Sequence, residues 1–144
     1  MSERRHLITI GDLAAADVER LLEAAEACAE GEVDGALAGT TVVNLFYESS
    51  TRTSSSFELA ARRLGASVLT IRSTGSSVDK GESLKDTALT LAAYDPDVIV
   101  MRHPSIGAPQ LVARLTDAHV AQTIGRTVVL YRRHPDKPEI RLPK

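Results

Sequence analysis

The 144-residue sequence predicts an α/β domain whose parallel sheet is covered by helices on both faces. Two observations carry that prediction. Short apolar runs, at 42–47, 66–71 and 98–100, alternate with stretches whose apolar residues recur at helical spacing. Each run also opens directly into polar chain carrying an arginine, and in such sheets ligands sit beyond the carboxyl ends of the strands.

In chain order, Asp12 is placed to cap a first helix from about Leu13 to Ala29, with Leu13, Val18, Leu21, Leu22 and Ala25 on one face. Gly31 and Gly35 end it in a loop. The first strand is Thr40 to Phe46, followed by a polar turn and a helical run from Ser54 to Leu64, whose apolar residues include Phe57, Leu59, Ala60 and Ala61. Ala66 to Ile71 is the second strand, and Arg72 to Gly81 is a Ser/Gly-rich loop. Ser83 to Ala93 is the third helix, with Leu84, Ala88, Leu91 and Ala92 inward. Asp97 to Met101 is the third strand and Gly107 to Leu115 the fourth helix. The polar turn, the 72–81 loop and Arg102-His103-Pro104 each follow a strand and converge on one edge.

Composition excludes several classes of function. With 43% hydrophobic and 25% charged residues and a net charge of −2, the chain gives no support for a nucleic-acid or membrane partner. No apolar run approaches the roughly 20 residues that span a bilayer, and Met1 to Gly11 lacks the apolar core of a secretory signal. A cytoplasmic setting is the expectation. Cys28, the only cysteine, excludes an internal disulfide and a thiolate zinc cluster, and reads as a small buried apolar residue. The one shift in composition is at the end. Residues 122–144 carry six Lys/Arg against two Asp/Glu, whereas residues 1–121 carry eleven against seventeen. With Pro135, Pro138 and Pro143, this reads as a flexible basic tail in which only Thr127 to Tyr131 is a credible strand.

The chemistry concentrates at Glu48-Ser49-Ser50-Thr51-Arg52-Thr53, where a strand turns into a helix. Free backbone N–H groups and the positive end of the helix dipole favour an anion there. Ser50, Thr51 and Thr53 add hydroxyls, and Arg52 adds a planar fork suited to phosphate oxygens. Ser and Thr are also ordinary N-cap residues. Spacing alone leaves both a phosphate cradle and a plain helix start open. The segment Gly75 to Ser83 tempts a Walker-type reading but lacks the Gly-Lys-Ser/Thr ending, since Lys80 precedes Gly81. It is either an exposed surface loop or a loop whose ammonium and hydroxyls close over an anion. Arg102 can clamp a carbonyl or phosphate oxygen, while His103 alone reads as structural.

Phe46-Tyr47-Glu48-Ser49-Ser50-Thr51-Arg52-Thr53, followed by Ser56-Phe57-Glu58, resembles the Ser-Thr-Arg-Thr signature of the carbamoyltransferases. Ser-Ser-Val-Asp-Lys-Gly-Glu-Ser-Leu-Lys-Asp-Thr, at 76–87, is similar to the family's second signature in its aspartate-specific form. Met101-Arg102-His103-Pro104 with Gly107-Ala108-Pro109 is similar to a third. The three stand in family order over about Thr40 to Val112. Glu48, Lys80 with Gly81-Glu82, and the Met-Arg-His-Pro string favour the aspartate form over the ornithine form.

The resemblance implies a three-layer domain with a four-stranded, mainly parallel sheet, the fourth strand near Ala118-His119-Val120. It implies transfer of the carbamoyl group from carbamoyl phosphate to L-aspartate in pyrimidine biosynthesis, with no metal or organic cofactor. By the match, Ser50, Thr51, Arg52 and Thr53 hold the phosphate, and Arg102, with Thr53, contacts carbamoyl phosphate near its carbonyl. Lys80, with Ser76 or Ser77, acts across a subunit interface on phosphate and aspartate, which implies a homotrimer with shared sites. Glu58 and Glu82 read as helix-terminus or ion-pair residues.

The pattern also departs from the family. Ser54 stands where many members have a further Arg, and 121–125 does not resemble the family's Asn-Ala-Gly-Asp-Gly loop. His134-Pro135 lacks the Gln of the His-Pro-x-Gln motif. The expectation is a carbamoyl-phosphate-binding domain at 1–121, a divergent tail at 122–144, and no second, aspartate-binding domain, so that this chain alone turns over little. The alternatives are a non-catalytic domain that binds phosphate or self-associates and, less favoured, the ornithine form.

Overall fold

The computed structural model describes residues 6–31, 35–72 and 82–123. Eight elements follow in chain order: α1 (Ala15–Glu30), β1 (Thr41–Phe46), α2 (Thr51–Arg63), β2 (Ser67–Arg72), α3 (Leu84–Ala92), β3 (Val98–Arg102), α4 (Ala108–Leu115) and β4 (His119–Gln122). The four strands form one sheet in the order β2-β1-β3-β4, every pair parallel. Strand order reverses between β1 and β3, which makes the crevice at their carboxyl ends the place where such sheets take ligands.

Alternation along β1 builds two cores. Val43 and Leu45 point to one face, where Ile99, Met101 and Val120 meet Ala88 and Leu91 of α3 and Val112 of α4. Val42 and Phe46 point to the other, packing with Val100, Ala61 and Phe57 beneath α2. This is the three-layer arrangement. Gly65 turns the chain from α2 into β2 at φ +90°, where an added Cβ would stand 3.4 Å from the backbones of Gly35 and Ala38, so the position suits glycine. The free edge of β4 is covered by the N-terminal segment: Leu7 N–H donates to Val120 O, and Gln122 N–H to Leu7 O, both at 2.9 Å.

Three expectations are corrected. The helix after the polar turn begins at Thr51 and not at Ser54, so Thr51, Arg52 and Thr53 are its first turn. Asp12 does not cap α1. Its Oδ2 accepts from the N–H groups of Ile8 (2.8 Å) and Thr9 (2.7 Å) and closes a preceding 3₁₀ turn, while Asp17 Oδ2 reaches back to Ala14 N–H, the N-cap of α1, at 3.0 Å. Those backbone donors hold the Asp12 carboxyl below its ordinary value. The apolar stripe expected on one face of α1 is largely uncovered by the described residues: Val18, Leu21 and Leu22 are 37%, 49% and 62% exposed, and Asp17 is the buried residue of the helix. Periodicity shows which face is apolar but not what covers it. Cys28, expected to be buried, is instead a half-buried free thiol. The expected 127–131 strand lies outside the described residues.

Candidate anion site at the β1–β3 crevice

The site is built where β1 gives way to α2. Strand β1 ends at Phe46, and the chain passes through Tyr47 to Ser50, the N-cap of α2, with φ −150° and ψ 77°. Ser50 makes no side-chain bond to the first helical turn. The first turn of an α-helix has no intrahelical partners for its N–H groups, so α2 presents donors to the crevice rather than to its own cap. Ser54 N–H, one turn on, bonds Ser50 O at 3.0 Å.

Ser50 turns instead toward β3. Arg102, the last residue of that strand, donates from Nε to Glu48 Oε2 at 2.8 Å and from Nη1 to Ser50 Oγ at 3.4 Å. Tyr47 N–H donates to Arg102 O at 2.8 Å, and the Tyr47 ring packs on His103, centroids 4.4 Å apart. Ser105 N–H donates to His103 Nδ1 at 2.9 Å. Burial pushes the His103 imidazole below its ordinary value. Beneath the helix start, Asn44 is fully buried on β1 and donates from Nδ2 to Ser54 O at 3.4 Å. Asn44 Oδ1 and Ser54 Oγ are buried without a hydrogen-bond partner among the described residues.

A pocket of about 90 Å³ opens beside the helix start, lined by Glu48, Ser49, Ser50, Thr51, Ser54 and Arg72, with Phe46 behind. Of the residues the sequence singled out, Ser50 and Thr51 line this pocket, and Arg102 joins it through Ser50 and Glu48. Arg52 lies in the first turn of α2 and is exposed, whereas Thr53 is 2% exposed. Ser76, Ser77 and Lys80 lie outside the described residues. Two residues without a binding role in the motifs also stand here. Glu48 is the counter-charge of Arg102, and Arg72 forms a wall of the pocket. The position of Arg72, just where β2 meets the carboxyl edge, was the available signal for it. Among the described residues no group of three or more His, Cys, Asp or Glu side chains converges as a metal-binding set, and no helix is long and apolar enough to cross a membrane.

A hydroxyl- and N–H-lined helix start backed by an arginine suits a phosphate group. Residues 5–129 match the model of the aspartate/ornithine carbamoyltransferase carbamoyl-P binding domain. The chain belongs to the aspartate/ornithine carbamoyltransferase family. The aspartate carbamoyltransferase catalytic subunit of Rubrobacter xylanophilus is 49% identical over 116 residues, which are 81% of this chain and 38% of the relative. Among solved structures, the catalytic subunit of M. jannaschii aspartate transcarbamoylase superposes with a TM-score of 0.72 at 37% identity, over 82% of this chain and 40% of that one. Aspartate transcarbamoylase from Trypanosoma cruzi, in complex with carbamoyl phosphate and aspartate, does so with a TM-score of 0.73 at 35% identity, over 83% and 41%. The carbamoyltransferase chain described here therefore spans about 38% of the length of such a curated relative. The matched stretch is the carbamoyl-P binding domain, and the four-stranded parallel sheet is the fold it shares with the solved transcarbamoylases.

Proposed function

We propose that this chain carries the carbamoyl-phosphate half-site of an aspartate carbamoyltransferase, working in the cytoplasm in pyrimidine biosynthesis as part of a homotrimer. The observation that carries the reading is the opening of the α2 N-terminus onto the β1–β3 crevice, with Arg102 bonded to Ser50. Family membership and the carbamoyl phosphate and aspartate bound by the Trypanosoma cruzi relative support it.

In this reading Ser50, Thr51, Arg52 and Thr53 hold the phosphate of carbamoyl phosphate. Arg102 faces the carbonyl oxygen, with Thr53 beside it. The neutral α-amino nitrogen of L-aspartate attacks the carbonyl carbon, forming a C–N bond. The C–O bond to phosphate breaks, its electron pair leaves with the phosphate, and the amine proton passes to the departing phosphate. Negative charge builds first on the carbonyl oxygen and then on the leaving group. Fixed cationic and N–H donors at both places lower the barrier without having to reorganise. Lys80, with Ser76 or Ser77, serves a neighbouring subunit's site; the sequence resemblance is its support.

Radiolabelled carbamoyl phosphate, offered to the 144-residue chain with inorganic phosphate as competitor, tests the binding half. Saturable, phosphate-displaceable binding is expected, and carbamoyl aspartate should form slowly on adding aspartate. Uptake that phosphate does not displace would contradict the reading. Sedimentation equilibrium tests the shared site, where a mass of one chain at saturating ligand would remove any role for Lys80 in a neighbour.

A further inference from the structure

Arg72 ends β2 at the same edge as the cradle, and the reading above gives it no part. In register, Phe46 of β1 aligns with Arg72 on one side and Arg102 on the other. Two interstrand spacings put the backbones of these arginines about 10 Å apart, straddling the strand that leads into α2. Both lie on the α2 face. Phe46 packs into the core beneath that helix, and Thr70, two residues before Arg72, donates to Glu58 of α2 at 2.8 Å.

The pocket beside the helix start is lined by Arg72 of β2 together with Ser50, Thr51 and Ser54. Ser54 is 2% exposed, and its Oγ has no partner among the described residues. Buried polar atoms in native proteins ordinarily have partners, so this hydroxyl marks the pocket as a place for a polar occupant. Arg72 is exposed and makes no salt bridge to a described residue, whereas Arg20, Arg62 and Arg102 each have a carboxylate. Glu58, the acidic group of α2 near it, is already engaged by Thr70 and Arg62. Its carboxyl is held below the ordinary range chiefly by the Thr70 hydroxyl, with Arg62 and then Arg72 adding.

We infer that Arg72 is a further phosphate-contacting residue, reaching the group from β2 while Arg102 stands on the β3 side. A second guanidinium on the phosphate, from Arg72 in addition to Arg52, favours a terminal phosphate dianion over a carboxylate or a phosphodiester, since each needs its own free oxygen. The inference rests on the carbamoyl-phosphate reading and adds to it the discrimination of the phosphate end.

Calorimetric titration of the full chain with inorganic phosphate and, separately, with carbamoyl phosphate tests it in four variants. Arg72→Gln should weaken both ligands about tenfold, the loss of one charge-assisted contact. Arg72→Lys, which keeps the charge without the fork, should recover part of that. Glu58→Gln should bind as the unaltered chain does. Arg52→Ala reports on the cradle itself. Should Arg72→Gln not fold, Arg72→Lys carries the test, with full retention of affinity overturning the inference. Unchanged affinity in a folded Arg72→Gln, with binding lost in Arg52→Ala, would overturn the role of Arg72 and leave the cradle standing. A loss in Glu58→Gln equal to that in Arg72→Gln would make Arg72 a structural partner of Glu58. No binding by the unaltered chain would remove both readings.

Discussion

Arg102 Nε and Glu48 Oε2 stand 2.8 Å apart and tie the end of β3 to the loop after β1, across the reversal in strand order. The pair is partly open to water, with side-chain exposures of 21% and 42%, so its strength is that of a screened ion pair. A bound anion competes with Glu48 for the same guanidinium. Glu48→Gln should therefore tighten inorganic phosphate by about two- to fivefold, the range of partly exposed pairs, as read by titration calorimetry. Weaker binding in a folded variant would show that Glu48 positions Arg102 rather than competing for it.

His103 gives a pH dependence with a definite sign. Burial lowers its affinity for a proton in the folded chain, against the opposing pull of Glu48, and Nδ1 already accepts the Ser105 N–H. The unfolded chain therefore takes up the proton first as pH falls, and stability declines from about pH 6.5 downward, through the lower folded value. Thermal unfolding followed between about pH 7.5 and pH 5.5 should show a smaller loss for His103→Gln than for the unaltered chain. Equal losses would place the acid sensitivity elsewhere.

The face of β1 turned toward α3 and α4 should be sensitive to cavities. Leu45 is 1% exposed and lies in the core with Met101 and Val112. Leu45→Ala should cost about 2–5 kcal/mol of unfolding free energy, seen in urea denaturation. A cost under about 1 kcal/mol would mean that the site collapses around the missing atoms.

Much of this was legible in the sequence, for physical reasons that differ by element. Buried parallel strands are short and apolar, so β1, β2 and β3 fall within a residue of their expected bounds. The α2 start was misjudged because Thr51 and Thr53 read as turn residues, although their hydroxyls do not prevent a helical first turn. Asp12 satisfied every local rule for an N-cap and caps a different turn, because Asp17 supplied the α1 N-cap amide first. The α1 stripe is apolar as its periodicity predicts, yet Val18, Leu21 and Leu22 stay exposed, since amphipathicity carries no information about the partner. Beside the helix start, Arg102 reaches Ser50, and Ser50 and Thr51 line the pocket, while their part in binding belongs to the proposal. In the sequence Arg72 is only the first residue of a loop at the carboxyl edge, and the parallel register is what brings the end of β2 beside the helix start.

The central claim is that the first turn of α2 is a working phosphate cradle. Titrating carbamoyl phosphate into the 144-residue chain and into Arg52→Ala, side by side, tests it most directly. The account predicts saturable binding that disappears in the variant while its thermal unfolding stays near that of the unaltered chain. Equal binding by both, or binding by neither, would contradict it.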